Sequence, residues 1–342
     1  MQKASIAKLS DLSLQAYSSV FILVDENTVK RCYPKVLGLL PQHHIIQIHS
    51  GEEYKTLQTC ELIWQQLTDA NADRKAVLIN LGGGVIGDMG GFAAGCYKRG
   101  ISFINIPTTL LAMVDASVGA KAGIDFKGLK NQIGLFNEPE QVLIDTTFLQ
   151  TLPQRELASG FAEVLKHYLI ADAEAFYAVS SGAKDITQLN WHDVVHRNIA
   201  IKQRIVDADP LENGVRKALN FGHTIGHGVE SLMLQEGNQK LLHGEAIAIG
   251  MIAESYISAA LSLISEEELA LITRTILRYY KLPYIAEQQH AEILKLIGND
   301  KKNSGKQNRF SLLKGIGNFS IDNYVEEALI IEALNYYNAK LA

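Results

Sequence analysis

Three imidazoles crowd into one short part of this chain. Leu219-Asn220-Phe221-Gly222-His223-Thr224-Ile225-Gly226-His227 carries two, and His243-Gly244-Glu245 brings a third. Upstream, Gly160-Phe161-Ala162-Glu163-Val164-Leu165-Lys166 offers a carboxylate on a helix-like run. A carboxylate with two imidazoles suits zinc, and three protein ligands leave the fourth position open for chemistry. The pattern points to a metal-assisted enzyme. His223 and His227 are four apart, so on a helix they share a face, and spacing nominates them as a pair as in HExxH metalloproteases. The Glu of that motif is absent, since Thr224 and Ile225 fill the gap. A lone histidine is more often a core or capping residue; three beside Gly222, Gly226 and Gly244 favour a site.

A second feature is Gly82-Gly83-Gly84-Val85-Ile86-Gly87-Asp88, which follows the apolar run Ala76–Asn80. Read as G-x-G-x-x-G, it is Gly82, Gly84 and Gly87. Missing side chains let backbone approach a pyrophosphate, and a following helix N-terminus would stabilise its charge. A tight glycine turn with no ligand explains the pattern equally well. No acidic residue ends the next strand in the usual ribose-binding place, because Ile101–Ile106 closes on Asn105-Ile106 and is followed by Pro107. Asp25, at the end of an earlier strand, is a substitute for that role; a simple cap or turn is the competing reading.

Cations recur beside glycines or in charge-poor segments. Arg99 precedes Gly100, and Lys121 lies in Asp115-Ala116-Ser117-Val118-Gly119-Ala120-Lys121-Ala122-Gly123. Lys130-Asn131 follows Gly128, Lys166 is one helical turn after Glu163, Lys202 and Arg216 bracket Glu212, and Lys301-Lys302 follows Asp300. Any one alone reads as a solvated surface charge. Together, next to small residues such as Gly119, Ala120, Ala122 and Gly123 that let substrate come close, they would hold a molecule with more than one anionic group. Arg is suited to gripping a carboxylate through two parallel bonds.

These residues need a scaffold, and the first half supplies alternating strands and helices. Val20–Val24, Ile45–Ile48, Ala76–Asn80 and Ser102–Ile106 are short apolar runs, and Leu57, Leu62, Ile63 and Leu67 recur at helical spacing. Strands separated by helices favour a parallel sheet with crossovers. Near Pro153 the character changes to long amphipathic runs such as Ala246 to Leu261 and Glu266 to Leu277. The expected organisation is an α/β, Rossmann-like dinucleotide-binding domain at 1–152. A mainly α-helical metal- and substrate-binding domain follows at 153–342, with a cleft between the two as the default ligand site. With 47% hydrophobic and 20% charged residues, the chain should fold as an ordinary soluble globule. A net charge of −5 leaves no basic footprint for nucleic acid, so anions must be held by local cations. No apolar run is long enough to span a bilayer. Cys32, Cys60 and Cys96 form no CxxC pair, which fits reduced thiols in the cytoplasm.

Taken together the motifs resemble the 3-dehydroquinate synthase family of sugar phosphate cyclases. The resemblance rests on GGGVIGDMGGF at Gly82–Phe92, IPTTLLAMVDASVGAKAGID at Ile106–Asp125, GLKNQIGLF at Gly128–Phe136, GFAEVLKH at Gly160–His167, RKALNFGHTIGH at Arg216–His227, LHGEAIAIGM at Leu242–Met251 and DKK at Asp300–Lys302. It spans roughly residues 20 to 320. The resemblance implies zinc, with cobalt or another divalent ion as an alternative, on Glu163, His223 and His243, and a proton-transfer role for His227. It implies NAD against Asp25–Asn27, Glu52–Lys55, Gly83, Gly84, Val85, Asp88, Thr108, Thr109, Lys130 and Phe148–Thr151. Ser159 stands where some relatives have Asn. Substrate would meet Arg99, Asp115, Lys121, Asn131, Lys166, Lys202, Arg216, Asn220 and one of Lys301 and Lys302. Glu212 matches a proton-acceptor position, and Glu212, His227 and Lys166 form the implied catalytic set.

The implied substrate is 3-deoxy-D-arabino-heptulosonate 7-phosphate, whose carboxylate and phosphate account for the cations. The implied reaction is transient oxidation by NAD, phosphate elimination, re-reduction and intramolecular aldol closure, so NAD is used without net redox. This belongs to the shikimate pathway of aromatic amino-acid biosynthesis. The expected partners are this small sugar-acid phosphate and a second copy of the chain in a homodimer, with no nucleic acid and no membrane. An NAD- and metal-dependent polyol dehydrogenase is the nearest alternative, but it needs no phosphate and carboxylate clamps. A cyclase acting on a substrate such as glucose 6-phosphate would leave Lys202 and Arg216 without a carboxylate. A non-catalytic relative would be expected to have lost a ligand or base, and every ligand position is filled.

Overall fold

The structure is a computed structural model that describes residues 5–127, 129–182, 185–236, 241–300 and 309–341. The chain divides into two compact units, Met1–Leu157 and Ala158–Ala342.

In the first unit the strands are β1 (Ser5–Lys8), β2 (Val20–Asp25), β3 (His44–Ile48), β4 (Val77–Gly82), β5 (Ser102–Pro107), β6 (Lys121–Phe126), β7 (Leu129–Phe136) and β8 (Gln141–Ile144). Its helices are α1 (Thr28–Arg31), α2 (Tyr33–Val36), α3 (Leu57–Asp69) and α4 (Gly84–Cys96). Six strands form one parallel sheet in the order β1-β8-β5-β4-β2-β3. Val20 to Val24 of β2 and Val77 to Gly82 of β4 are buried throughout, as expected for strands covered on both faces. Ile63 and Leu67 of α3 and Met89, Phe92 and Ala93 of α4 pack on Leu23, Ile46 and Leu78 of the sheet.

The four strands expected from apolar runs are all present. The sheet adds β1 and β8, each only four residues long. From β2 the chain steps to β3 on one side, then returns to β4 on the other. The carboxyl ends of β2 and β4 therefore flank a topological switch point, the place where open α/β sheets bind ligands. Strands β6 and β7 stand apart as an antiparallel hairpin. Gly123 and Gly134 face each other there: a Cβ on Gly123 would sit 2.9 Å from Ile133 O, and one on Gly134 2.6 Å from Ala122 O. Close strand pairing thus explains Gly123, which the sequence suggested as an opening for substrate.

Helix α5 (Gln154–Ala171) opens the passage into the second unit. It is followed by α6 (Ala173–Ser181), α7 (Trp191–Ala208), α8 (His223–Glu236), α9 (His243–Ala260), α10 (Glu266–Tyr279), α11 (His290–Asp300), the antiparallel pair β9 (Arg309–Leu313) and β10 (Phe319–Tyr324), and α12 (Glu327–Ala339). The helical reading holds, with the β9–β10 hairpin added. Helix α9 is buried nearly all round, and α8, α10 and α12 pack against it. It starts earlier than its apolar run suggested. Glu245 Oε2 accepts the Leu242 N–H at 2.8 Å, which fixes the helix start and places His243 in its first turn.

Candidate active site

Three helices of the second unit bring a carboxylate and two imidazoles together. Glu163 projects from α5, His223 opens α8, and His243 opens α9. Both imidazole Nε2 atoms lie 3.4 Å from Glu163 Oε1. Metal–ligand bonds of about 2.05 Å in a tetrahedron give a ligand–ligand edge of about 3.3 Å, so the spacing fits zinc. Glu163 is fully buried, so its carboxylate is shielded from water. An anion so placed needs a counter-charge. The Lys166 ammonium, itself buried, sits against Oε2, which leaves Oε1 to the two imidazoles.

The other ring nitrogens are already tied. His223 Nδ1 donates to Phe221 O at 3.1 Å, and His243 Nδ1 donates to Glu230 Oε2 at 3.4 Å. Each tie turns Nε2 toward Glu163, the arrangement that orients metal-binding imidazoles. Burial opposes charge on Glu163, but Lys166 and His223 outweigh it and hold the carboxyl well below its usual range. Burial, reinforced by Lys166, pushes His223 down to about 4. Burial works against charge on His243 too, yet Glu230 and Glu163 outweigh it and raise that ring to about 9.

His227 lies one turn along α8, its ring centroid 5.1 Å from that of His223 and 5.9 Å from that of His243. The spacing argument was therefore right that His223 and His227 are neighbours. His227, Glu230 and His243 form a second group whose ligand atoms come within reach of one another. In that group Glu230 is engaged by His243 Nδ1, whereas Glu163 Oε1 faces the Nε2 atoms of both His223 and His243, so the Glu163 group fits an ion better. Sequence reasoning missed Glu230. Its position seven residues after His223 put it on the same face of α8, and that was the available signal.

Glycines set how closely these helices approach. A Cβ on Gly244 would sit 1.9 Å from Ser159 O of α5, and one on Gly250 1.9 Å from Gly222 O. Ser159 is buried and its hydroxyl accepts the Gly244 N–H at 3.0 Å, tying α5 to the first turn of α9.

The remaining second-unit candidates sit on α5, α7 and the loop before α8. Lys202 of α7 and Arg216 are both buried. Arg216 Nη1 donates to Pro210 O at 2.6 Å, and its backbone N–H donates to Asp209 Oδ2 at 3.1 Å. Glu212 has a left-handed backbone (φ 60°) and its Oε1 accepts from Asn220 Nδ2 at 2.8 Å. Lys301 and Lys302 lie outside the described residues.

In the first unit the switch point gathers most of the cofactor candidates. Gly83 caps α4 and packs against Thr109, which a Cβ would approach to 3.1 Å. Gly84 and Val85 begin the helix. The Thr108 N–H donates to Gly82 O at 2.9 Å, and Thr109 Oγ1 accepts the Ala112 N–H at 3.1 Å. At the end of β2, Asp25 Oδ1 accepts the Asn27 and Thr28 N–H groups at 2.8 and 2.7 Å, so it does cap this turn. Asn27 Nδ2 donates to Ser50 Oγ at 3.0 Å. The buried Lys55 ammonium donates to Asp88 Oδ2 at 2.7 Å and to Asn131 Oδ1 at 2.5 Å. Burial opposes the Lys55 charge, but Asp88 and Glu52 outweigh it and raise its pKa. Lys130 Nζ pairs with Glu52 Oε1 at 3.3 Å. Phe148 is buried beneath the turn after β8, and Thr151 Oγ1 donates to its carbonyl at 3.3 Å.

Asp115 lies in the π-helical turn Ala112–Ala116, and Lys121 opens β6 on the surface. Arg99 is exposed, at φ 68°, after the far end of α4. The 13 residues of α4 put it about 20 Å from the glycine loop, so this unit does not bring the two together.

Residues 45–159 match the family described as 3-dehydroquinate synthase N-terminal, and residues 160–303 the one described as 3-dehydroquinate synthase C-terminal. A 3-dehydroquinate synthase of Parabacteroides distasonis is 42% identical over 331 residues, covering 95% of this chain and 93% of its own. The structure of the 2-epi-5-epi-valiolone synthase ValA of Streptomyces hygroscopicus subsp. jinggangensis, with NAD+ and Zn2+ bound, superposes with a TM-score of 0.85 at 27% identity, covering 99% of this chain and 98% of its own. A 2-deoxy-scyllo-inosose synthase complexed with carbaglucose-6-phosphate, NAD+ and Co2+ gives 0.83 at 25% identity, with 97% and 96% covered. A parallel sheet with a glycine loop at its switch point, in a chain with a second, mainly helical unit, matches the fold of the sugar phosphate cyclases. Among these, the chain belongs to the 3-dehydroquinate synthase family.

Proposed function

We propose that the chain converts 3-deoxy-D-arabino-heptulosonate 7-phosphate to 3-dehydroquinate and phosphate, with NAD and one zinc ion, or cobalt in its place, as cofactors. The observation that carries this reading is the buried Glu163 carboxylate, one oxygen of which pairs with Lys166 while the other faces two imidazole Nε2 atoms, in a chain of this family. Glu163, His223 and His243 would hold the ion. Gly83, Gly84, Val85, Asp88, Asp25, Asn27, Glu52, Lys55, Thr108, Thr109, Lys130, Phe148 and Thr151 would hold NAD, a role supported by the glycine loop at the switch point. When bound, zinc lowers the pKa of a substrate hydroxyl and NAD takes up and returns one hydride.

The chain's own groups do the rest. Lys202 and Arg216, both buried, grip the substrate carboxylate, and the bond from Arg216 Nη1 to Pro210 O fixes the guanidinium plane. Lys166 neutralises charge beside Glu163 and binds a substrate oxygen. Glu212, steadied by Asn220, accepts a proton, and His227 passes one near His223 and His243. Arg99, Lys121, Asn131 and Lys301 or Lys302 would complete the anion-binding set, and Asp115 would accept a hydrogen bond from a substrate hydroxyl. The reading carries with it a homodimer, which sedimentation velocity reads directly. It also carries a cytoplasmic location, supported by three free thiols.

The test is phosphate release from the heptulosonate phosphate after chelation and dialysis. Release should require both NAD and a divalent ion. Equal release with either withheld would defeat the proposal.

A further inference from the structure

Helix α8 begins with a residue that cannot cap it. Gly222 precedes His223 at φ 77°, and a Cβ there would sit 2.6 Å from Met251 Cγ. Glycine is therefore required, and it brings no side-chain oxygen to the exposed N–H groups of the first turn. This helix start is buried: Phe221, Gly222 and Ile225 have little or no solvent contact. Buried N–H groups without partners are costly.

The missing acceptor comes from another helix. Glu254, fully buried on α9, accepts the Gly222 N–H through Oε2 at 2.6 Å and the Ile225 N–H through Oε1 at 2.9 Å. Its two oxygens thus hold the backbone on both sides of His223, and its charge complements the positive end of α8. The segment it grips includes the turn whose Phe221 carbonyl receives His223 Nδ1–H. Glu254 also lies on the helix that opens with His243. One side chain therefore ties the helix carrying one imidazole to the start of the helix carrying the other.

We propose that Glu254 is a positioning residue for the metal site: it caps α8 from α9 and so fixes the His223 imidazole relative to Glu163 and His243. This rests on the assignment of Glu163, His223 and His243 as ligands. Glu254 acts through the peptide groups around His223. Supporting groups of this kind commonly control metal affinity by 10- to 100-fold, a magnitude taken as about the expected effect here.

The experiment compares zinc affinity, by competition with a chromogenic chelator, and the visible spectrum of the cobalt-loaded protein. Three variants are used: Glu254→Gln, His223→Ala and Ser265→Ala. Gln keeps the shape but replaces one acceptor with a donor facing an N–H. Ser265 caps α10, where its hydroxyl accepts the Glu268 N–H at 3.2 Å, and its loss supplies a comparable capping defect away from the site. Glu254→Gln should weaken zinc binding about 10- to 100-fold and alter the cobalt spectrum, while Ser265→Ala changes neither. If His223→Ala binds zinc like the parent, the ligand assignment fails. If His223→Ala loses zinc but Glu254→Gln keeps parental affinity and spectrum, the positioning proposal fails. It also fails if Ser265→Ala weakens zinc as much. Should Glu254→Gln not fold, Glu254→Asp, which keeps the charge but withdraws the oxygens by one methylene, is judged by the same outcomes.

Discussion

Zinc binding to the stripped protein should release about one proton at pH 7.5. The count follows from the three ligand candidates. Glu163 is held well below the usual carboxylate range, so it is already ionised. His223 is pushed down to about 4 and is already neutral. His243 is raised to about 9, with burial outweighed by Glu230 and Glu163, so it is protonated. A metal needs all three without protons on the binding atoms. Only His243 must change, at a cost of about 2 kcal/mol at pH 7.5, from 1.36 kcal/mol per pH unit below its pKa. The sign is fixed: affinity should climb as pH rises, about tenfold per unit from pH 6.5 to 8.5, and level off above 9. Glu230→Gln removes a main cause of the raised His243 value, so proton release should fall and the slope should flatten. The assay is calorimetric titration in buffers of different ionisation heat. No proton released, two released, or an affinity flat across this range would refute the reasoning.

Three further outcomes are expected. In the native protein a thiol reagent should modify Cys96 alone, because Cys32 and Cys60 are buried and burial pushes Cys60 up to about 12; all three should react after unfolding, and fast native labelling of Cys60 would contradict this. Gly250→Ala places a Cβ 1.9 Å from Gly222 O, so it should cost on the order of 3 kcal/mol in urea unfolding and weaken zinc binding; parental stability would show that α8 and α9 can separate freely. Arg216→Lys should weaken heptulosonate phosphate by roughly 2 kcal/mol, by loss of a charge-assisted contact, while NAD affinity is unchanged; equal loss for both ligands would mean a folding defect.

Much of this was legible in the sequence because buried parallel strands announce themselves as unbroken apolar runs. Val20–Val24 is of that kind, and Ala76–Ile79 is another. Strands β1 and β8 went unread because each is short and begins with a polar residue, and it is their partners that define them. The β6–β7 hairpin was hidden by glycines that read as loop but serve close strand pairing. At the candidate metal centre, spacing reached His223 and His227 within one helix. It could not say that Glu163 and His243, from two other helices, complete the group, since that is set by tertiary packing; family resemblance supplied it. Glu254 left no mark at all in its apolar surroundings, because its partners are backbone N–H groups of another helix.

The central claim is a reaction in which NAD is used and restored within each turnover. The direct measurement follows NADH absorbance and free phosphate in one cuvette, with zinc, substoichiometric NAD and the heptulosonate phosphate. Many phosphates released per NAD, 3-dehydroquinate formed in equal amount and no NADH accumulating is the predicted result. NADH rising in step with oxidation of glycerol or a similar polyol, with no phosphate from the heptulosonate, would contradict it.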